Sequence, residues 1–226
     1  MKRSVYLLIY TLNATFAFAT EDINRLRHEL SETAPDTLRV WQFRDLAYYY
    51  QSVNPDSAIY FAQRGAELAQ QIEFKDGEIW CLYQKALALE SKHHLDSAFF
   101  TYQIALQMAE DSGETLSQAK LLNAIGVFHY FSGDFYDAVH FYHKGYDLAD
   151  SLGYLEGKSY ALNNLAIIYR QQRRYKEALE LYDKSILIKE IEGDTAGIIT
   201  GLYNKGLAYS FLSRYPESME SFLQAE

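Results

Sequence analysis

At 226 residues and 26.1 kDa, the chain is long enough for one sizeable core or one elongated array. A hydrophobic fraction of 49% with only three prolines excludes a disordered chain and suits uninterrupted helices. The net charge of −9 repels polyanions, and the densest basic stretch, Arg170 to Lys176, is broken by Gln171, Gln172 and Tyr175. That stretch reads as a solvated turn, so no nucleic-acid partner is expected.

In chain order, Lys2 and Arg3 precede an apolar run from Val5 to Ala19 that ends Ala17-Phe18-Ala19 before Thr20. A charged start, a short apolar centre and a small-x-small end predict a cleavable signal peptide over residues 1–19. The run is shorter than the roughly 20 residues that span a bilayer, which ranks an uncleaved anchor second. Export to the periplasm or another extracytoplasmic space is expected, with a cytoplasmic chain as the alternative. Over residues 20–35, Ile23, Leu26 and Leu30 predict a short amphipathic helix, broken at Ala34-Pro35-Asp36, that covers the open face of the first helix pair.

From residue 36 on the sequence repeats. Ala98, Ala138, Ala178 and Ser218 lie 40 residues apart, each followed four residues later by an aromatic: Tyr102, Tyr142, Tyr182 and Phe222. Twelve residues upstream stand Ala86, Gly126, Ala166 and Gly206, and three beyond those come Leu89, His129, Tyr169 and Tyr209. Gly113, Gly153 and Gly193 punctuate the series at the same interval. An earlier copy fits Ala47, Tyr50, Ala58 and Ala62, with its inner turn, Val53-Asn54-Pro55-Asp56, one residue shorter. Within a copy, Leu162, Leu165, Ala166 and Tyr169 form one helical stripe, Gln172-Arg173-Arg174 a turn, and Ala178 with Tyr182 a second helix. Small residues let the paired helices approach closely, and the aromatics are expected to fill the gaps between pairs. Such a pair cannot bury both of its apolar faces alone, so the copies must stack.

The order Leu-x-x-Leu-Ala-x-x-Tyr followed by Ala-x-x-x-Tyr resembles the tetratricopeptide repeat family over residues 37–226. The resemblance implies an all-α, right-handed α-solenoid of antiparallel helix pairs. Repeats are expected at 36–75, 76–113, 114–153, 154–193 and, incompletely, 194–226. Two departures stand out: the period is 40 rather than 34, and the proline that closes the standard repeat is missing. Lys85 and Lys205 replace an apolar residue just before the small one, with their stems expected to snorkel. Pro216 suits the first turn of the last helix, which ends without a polar cap, so the chain looks like part of a longer protein.

No GxSxG, HExxH, P-loop or GxGxxG motif is present, so neither catalysis nor a cofactor is expected. The single cysteine, Cys81, rules out an internal disulfide and a CxxC motif and reads as a core residue. His129, His140 and His143 lack a further ligand at fixed spacing, and no metal is predicted; His93 and His94 lie in a turn. In the family the first helix of each pair lines a concave groove, and the resemblance implies a protein or peptide bound there. Tyr83, Asn123, Asn163 and Tyr203 share one position just off the packing stripe, and Asn164 and Asn204 share the next. Asn both donates to and accepts from an extended peptide backbone, so these amides form a candidate reader, with Lys120 and Arg170 as anchors for a carboxylate. Equally, the amides could cap local backbone or interlock neighbouring repeats.

The export signal, short helix and 40-residue repeats also resemble the extracytoplasmic sensor region of bacterial histidine kinases and transcriptional regulators. The expected function is therefore a sensing or interaction module of a signalling protein. A free-standing exported scaffold and the non-catalytic part of a longer enzyme are the alternatives.

Overall fold

The computed structural model describes residues 36–226 together with Ile23 and Arg25. The expected signal peptide, Leu26, Leu30 and the Ala34-Pro35 break lie outside these residues. Among the described residues from Asp36 on, ten helices follow one another: α1 (Asp36–Tyr50), α2 (Pro55–Gln71), α3 (Lys75–Ser91), α4 (Leu95–Ser112), α5 (Thr115–Phe131), α6 (Phe135–Ser151), α7 (Leu155–Gln171), α8 (Tyr175–Glu192), α9 (Thr195–Phe211) and α10 (Tyr215–Gln224). They form five antiparallel pairs, in which the odd-numbered helix is the A helix and the even-numbered one the B helix. The chain divides into two compact units, α1–α4 and α5–α10. Among the described residues no helix is long and apolar enough to cross a membrane.

The turns show why the helices stop where they do. Within pairs, His93, Gly133, Arg173 and Ser213 all adopt positive φ, between 59° and 80°, at 40-residue intervals. Between pairs, Glu73, Gly113, Gly153 and Gly193 adopt positive φ at the same interval, between 57° and 73°. In the within-pair turns the next residue's N–H reaches back five residues, as in His94 to Leu89 O at 2.9 Å and Arg174 to Tyr169 O at 2.8 Å. This left-handed closure satisfies the last carbonyls of each A helix. The first pair differs: α1 ends at Tyr50, four residues connect it to α2, and Asn54 Oδ1 caps α2 by accepting from Ser57 N–H at 3.2 Å. The shortening in this copy therefore falls on the end of α1 rather than on its connection.

In the first unit, α1 packs against both α2 and α3, and α3 against α2 and α4. Leu46, Ala47, Ala58, Ala62 and Ala88 form its core, and Ile23 is helical and buried against them. Cys81 is fully buried beside Val40 and Gly65, and burial pushes its thiol up to about 12.

In the second unit each A helix contacts its own B helix and the neighbouring A helices of the unit, and α7 and α9 also contact the B helix before them. Tyr142 and Tyr182 are buried in B helices, contributing roughly 1.5–3 kcal/mol each by area. A Cβ on Gly126 would come within 2.6 Å of the Tyr142 ring, and one on Gly206 within 2.6 Å of Phe222. The aromatic therefore sits over the small residue inside its own pair. Tyr142 also borders Leu165 and Ile168 of the next A helix, so it seals both interfaces rather than only the gap between pairs. The two lysines at stripe positions reach back to the preceding B helix: Lys85 Nζ donates to Gln63 Oε1 at 2.7 Å, and Lys205 Nζ pairs with Asp183 at 2.6 Å. Their stems lie in the interface while their heads find polar partners.

Candidate binding surface on the A helices

Side-by-side packing of α5, α7 and α9 places residues of the same phase next to one another across three repeats. Asn123 Nδ2 on α5 donates to Gly157 O on α7 at 3.4 Å, and its Oδ1 lies against Gly145. On α9, Asn204 Nδ2 donates to Asn163 Oδ1 of α7 at 3.3 Å. Three of the candidate amides thus tie one A helix to the next, which is the interlocking role. Glycine at 157 makes room for the Tyr154 ring and for α6: a Cβ there would meet the ring at 2.5 Å and Ala149 at 3.1 Å.

The remaining candidates divide. Arg170 Nε donates to Tyr182 Oη at 3.4 Å, so its guanidinium is engaged with the B helix of its own pair. Lys120 is half-buried, 3.9 Å from Glu156 and 5.5 Å from the centroid of the Tyr154 ring. Asn164, half-buried, leaves its amide outside the interlocks and shares its face of α7 with Tyr160. Tyr203 is 54% exposed and leans on Phe222 of α10, with ring centroids 5.5 Å apart. In the first unit, Tyr83 packs edge-on to Trp80 and over Tyr102, whose hydroxyl donates to Glu90 at 3.0 Å. Burial raises both members of that last pair above their ordinary values.

Two surface residues escaped the sequence reading. Tyr160 is 49% exposed, and the Lys189 ammonium lies 4.5 Å from its ring centroid. Lys189 is itself 5% exposed and paired with Glu192 at 3.3 Å and Asp194 at 2.9 Å. Glycine at 197 leaves room for that pair, since a Cβ would fall 2.6 Å from Asp194 Oδ2. Glu156, beside Lys120, is the other. Tyr160 stands 40 residues after Lys120, so the period carried the signal. Together, Lys120, Glu156, Tyr160, Asn164 and Tyr203 give the A-helix face of the second unit charges, an amide and two accessible aromatic rings.

An open cavity of about 760 Å³ lies against Ile199, Tyr203, Phe222 and Leu223. The equivalent surface of α7 and α8 is covered by α9, where Ile186 of α8 meets Gly201. The cavity therefore has the character of a repeat-stacking face.

Comparison with known proteins agrees with this architecture. The family model described as Tetratricopeptide repeat matches residues 117–191 and 157–226. Among curated proteins no sequence matches the chain. Among solved structures, BtubC from P. vanneervenii is similar at a TM-score of 0.74 and 18% identity, over 95% of this chain and 89% of that one. A Signal Transduction ATPase with Numerous Domains from Pyrococcus horikoshii, which carries a tetratricopeptide repeat sensor, is similar at 0.72 and 14%, over 93% of this chain and 35% of that one. A Rap protein complexed with Competence and Sporulation Factor is similar at 0.72 and 14%, over 97% and 71%. At these identities the likeness is one of fold. Residues 117–226 match the tetratricopeptide repeat family, and the described chain has the fold of a tetratricopeptide-repeat solenoid.

Proposed function

We propose that the protein is a non-catalytic interaction module that captures a protein or peptide on the A-helix face of its second unit. The observation that carries this reading is the direct packing of α5, α7 and α9, with interlocking amides below and Tyr160, Asn164 and Tyr203 accessible above. Aromatic rings beside an amide supply contact area at small entropic cost and a donor and acceptor for a peptide backbone. In this reading Asn123, Asn163 and Asn204 hold the surface in shape, while Lys120 and Glu156 at its edge select for charge.

The finer proposal is an exported sensing region of a signal-transduction protein, in which capture alters the packing of successive pairs. The charged and apolar start of the chain supports export. The tetratricopeptide sensor of the Pyrococcus horikoshii protein supports a sensing use of the same fold. N-terminal sequencing of the exported chain should begin at Thr20; retention in the cytoplasm with Met1 intact would refute export.

Capture is tested by panning a displayed random-peptide library on the whole chain and measuring the enriched peptide by fluorescence anisotropy. Tyr160→Ala with Asn164→Ala should weaken it at least about tenfold, roughly the loss of one good anchor. Leu187→Ala on the exposed surface of α8 should leave it unchanged. Equal weakening by both variants would sink the proposal.

A further inference from the structure

The turn between α5 and α6 departs from its repeats in a way that changes its chemistry. In the fourth repeat Arg174 Nε donates to Glu177 at 3.0 Å while its guanidinium lies 4.1 Å from the centroid of the Tyr169 ring. The fifth repeats this arrangement: Arg214 Nε donates to Glu217 at 2.8 Å and lies 4.7 Å from the Tyr209 ring centroid. Each turn thus holds a cation between an aromatic and a carboxylate. Forty residues before the first of these sets, the third repeat has His129, Asp134 and Asp137. The guanidinium has become a second carboxylate, and the aromatic platform an imidazole.

The ligand-capable atoms of these three residues lie within 4.8 Å of one another. His129 Nδ1 is 3.7 Å from Asp134 Oδ2, and the imidazole is largely buried, at 14% exposure. Stacking on Phe141, at 5.2 Å between centroids and 9° between planes, fixes the ring's orientation. Asp134 Oδ1 accepts from the Asp137 N–H at 3.3 Å, which leaves Oδ2 for another partner. Among the described residues, neither carboxylate is paired with a lysine or arginine.

We propose that His129, Asp134 and Asp137 bind a first-row divalent cation of the zinc class, seated where the next two repeats place a guanidinium. An imidazole nitrogen and two carboxylates are a borderline ligand set that suits zinc and its neighbours, with water in the remaining positions. Metal–ligand bonds of about 2.0–2.2 Å at tetrahedral angles put two ligands about 3.4 Å apart, so a spacing of up to 4.8 Å closes when side-chain rotations draw the ligand atoms together by about 1.4 Å. Two full negative charges outweigh the roughly half positive charge of the α6 N-terminus, so the local field favours a dication. The site would clamp the A–B turn of the third repeat with a metal where its neighbours use an arginine.

The test is isothermal titration of the chelator-treated whole chain with zinc chloride, with melting recorded alongside. One saturable site per chain and a raised melting temperature are expected. The combined variant His129→Tyr, Asp134→Arg, Asp137→Glu rebuilds the set of the fourth and fifth repeats, so it should fold at least as well as the parent and lose the site. Absence of saturable binding by the parent would overturn the proposal. So would a rebuilt variant that binds zinc as the parent does, which would place the metal elsewhere, such as at His93 and His94.

Discussion

Arg173 and Gly133 occupy the same turn position in successive repeats, and exchanging their side chains isolates the cost of a left-handed residue. Both have positive φ, 63° and 80°. A residue with a Cβ loses about 1–2 kcal/mol in that region, and glycine returns roughly 0.5–1 kcal/mol of this through its freer unfolded chain. Arg173→Gly should therefore stabilise by about 0.5–1 kcal/mol, its side chain being exposed. Gly133→Arg should destabilise by about the same amount. A Cβ on Gly133 meets nothing within 4 Å, so collision plays no part and the whole effect is backbone conformation. Urea unfolding followed by circular dichroism reads both variants, with the midpoint moving and the slope unchanged. If Gly133→Arg is neutral, or if both variants shift the midpoint the same way, the left-handed closure does not set the stability of these turns.

Removing the ring that seals two interfaces, Tyr142→Ala, should cost about 3–5 kcal/mol by the same assay, whereas Tyr136→Ala at a site 84% exposed should stay within about 0.5 kcal/mol. Cys81, fully buried with its thiol pushed up to about 12, should resist a thiol reagent at pH 8 in the native chain and react at once in urea. Fast native labelling would contradict the packing around Gly65. Asp194 is held below its ordinary value first by the Gly197 N–H and then by Lys189. Its stabilisation is therefore complete above about pH 4 and is lost as pH falls through the lowered folded value. The melting-temperature gap between the parent and Asp194→Asn should narrow over that acid range; a gap that widens on acidification would reverse the sign.

Much of the architecture was legible because close helix packing restricts residue choice at fixed intervals. Small residues at 86, 126, 166 and 206 and aromatics four residues after the second alanine mark both helices of every later pair. The non-glycine left-handed turns at Glu73, His93, Arg173 and Ser213 were not legible, because side-chain identity carries no signal where the surrounding hydrogen bonds impose the conformation. The candidate surface was half legible. Its phase followed from the period, but an asparagine at 123, 163 or 204 looks the same whether it faces a ligand or a neighbouring helix. Only distances to Gly157 and between Asn163 and Asn204 separate the two. The turn at His129 was missed as a ligand set because Asp134 and Asp137 come together with it only once the chain has turned.

The central claim, that the A-helix face of the second unit is the capture surface, is tested most directly by nuclear magnetic resonance of the isotope-labelled chain titrated with a selected peptide. Shifts concentrated on α5, α7 and α9, with the Asn164 side-chain amide among the largest, are the predicted result. Shifts centred on the exposed side of α6 and α8, around Tyr136 and Leu187, would contradict it.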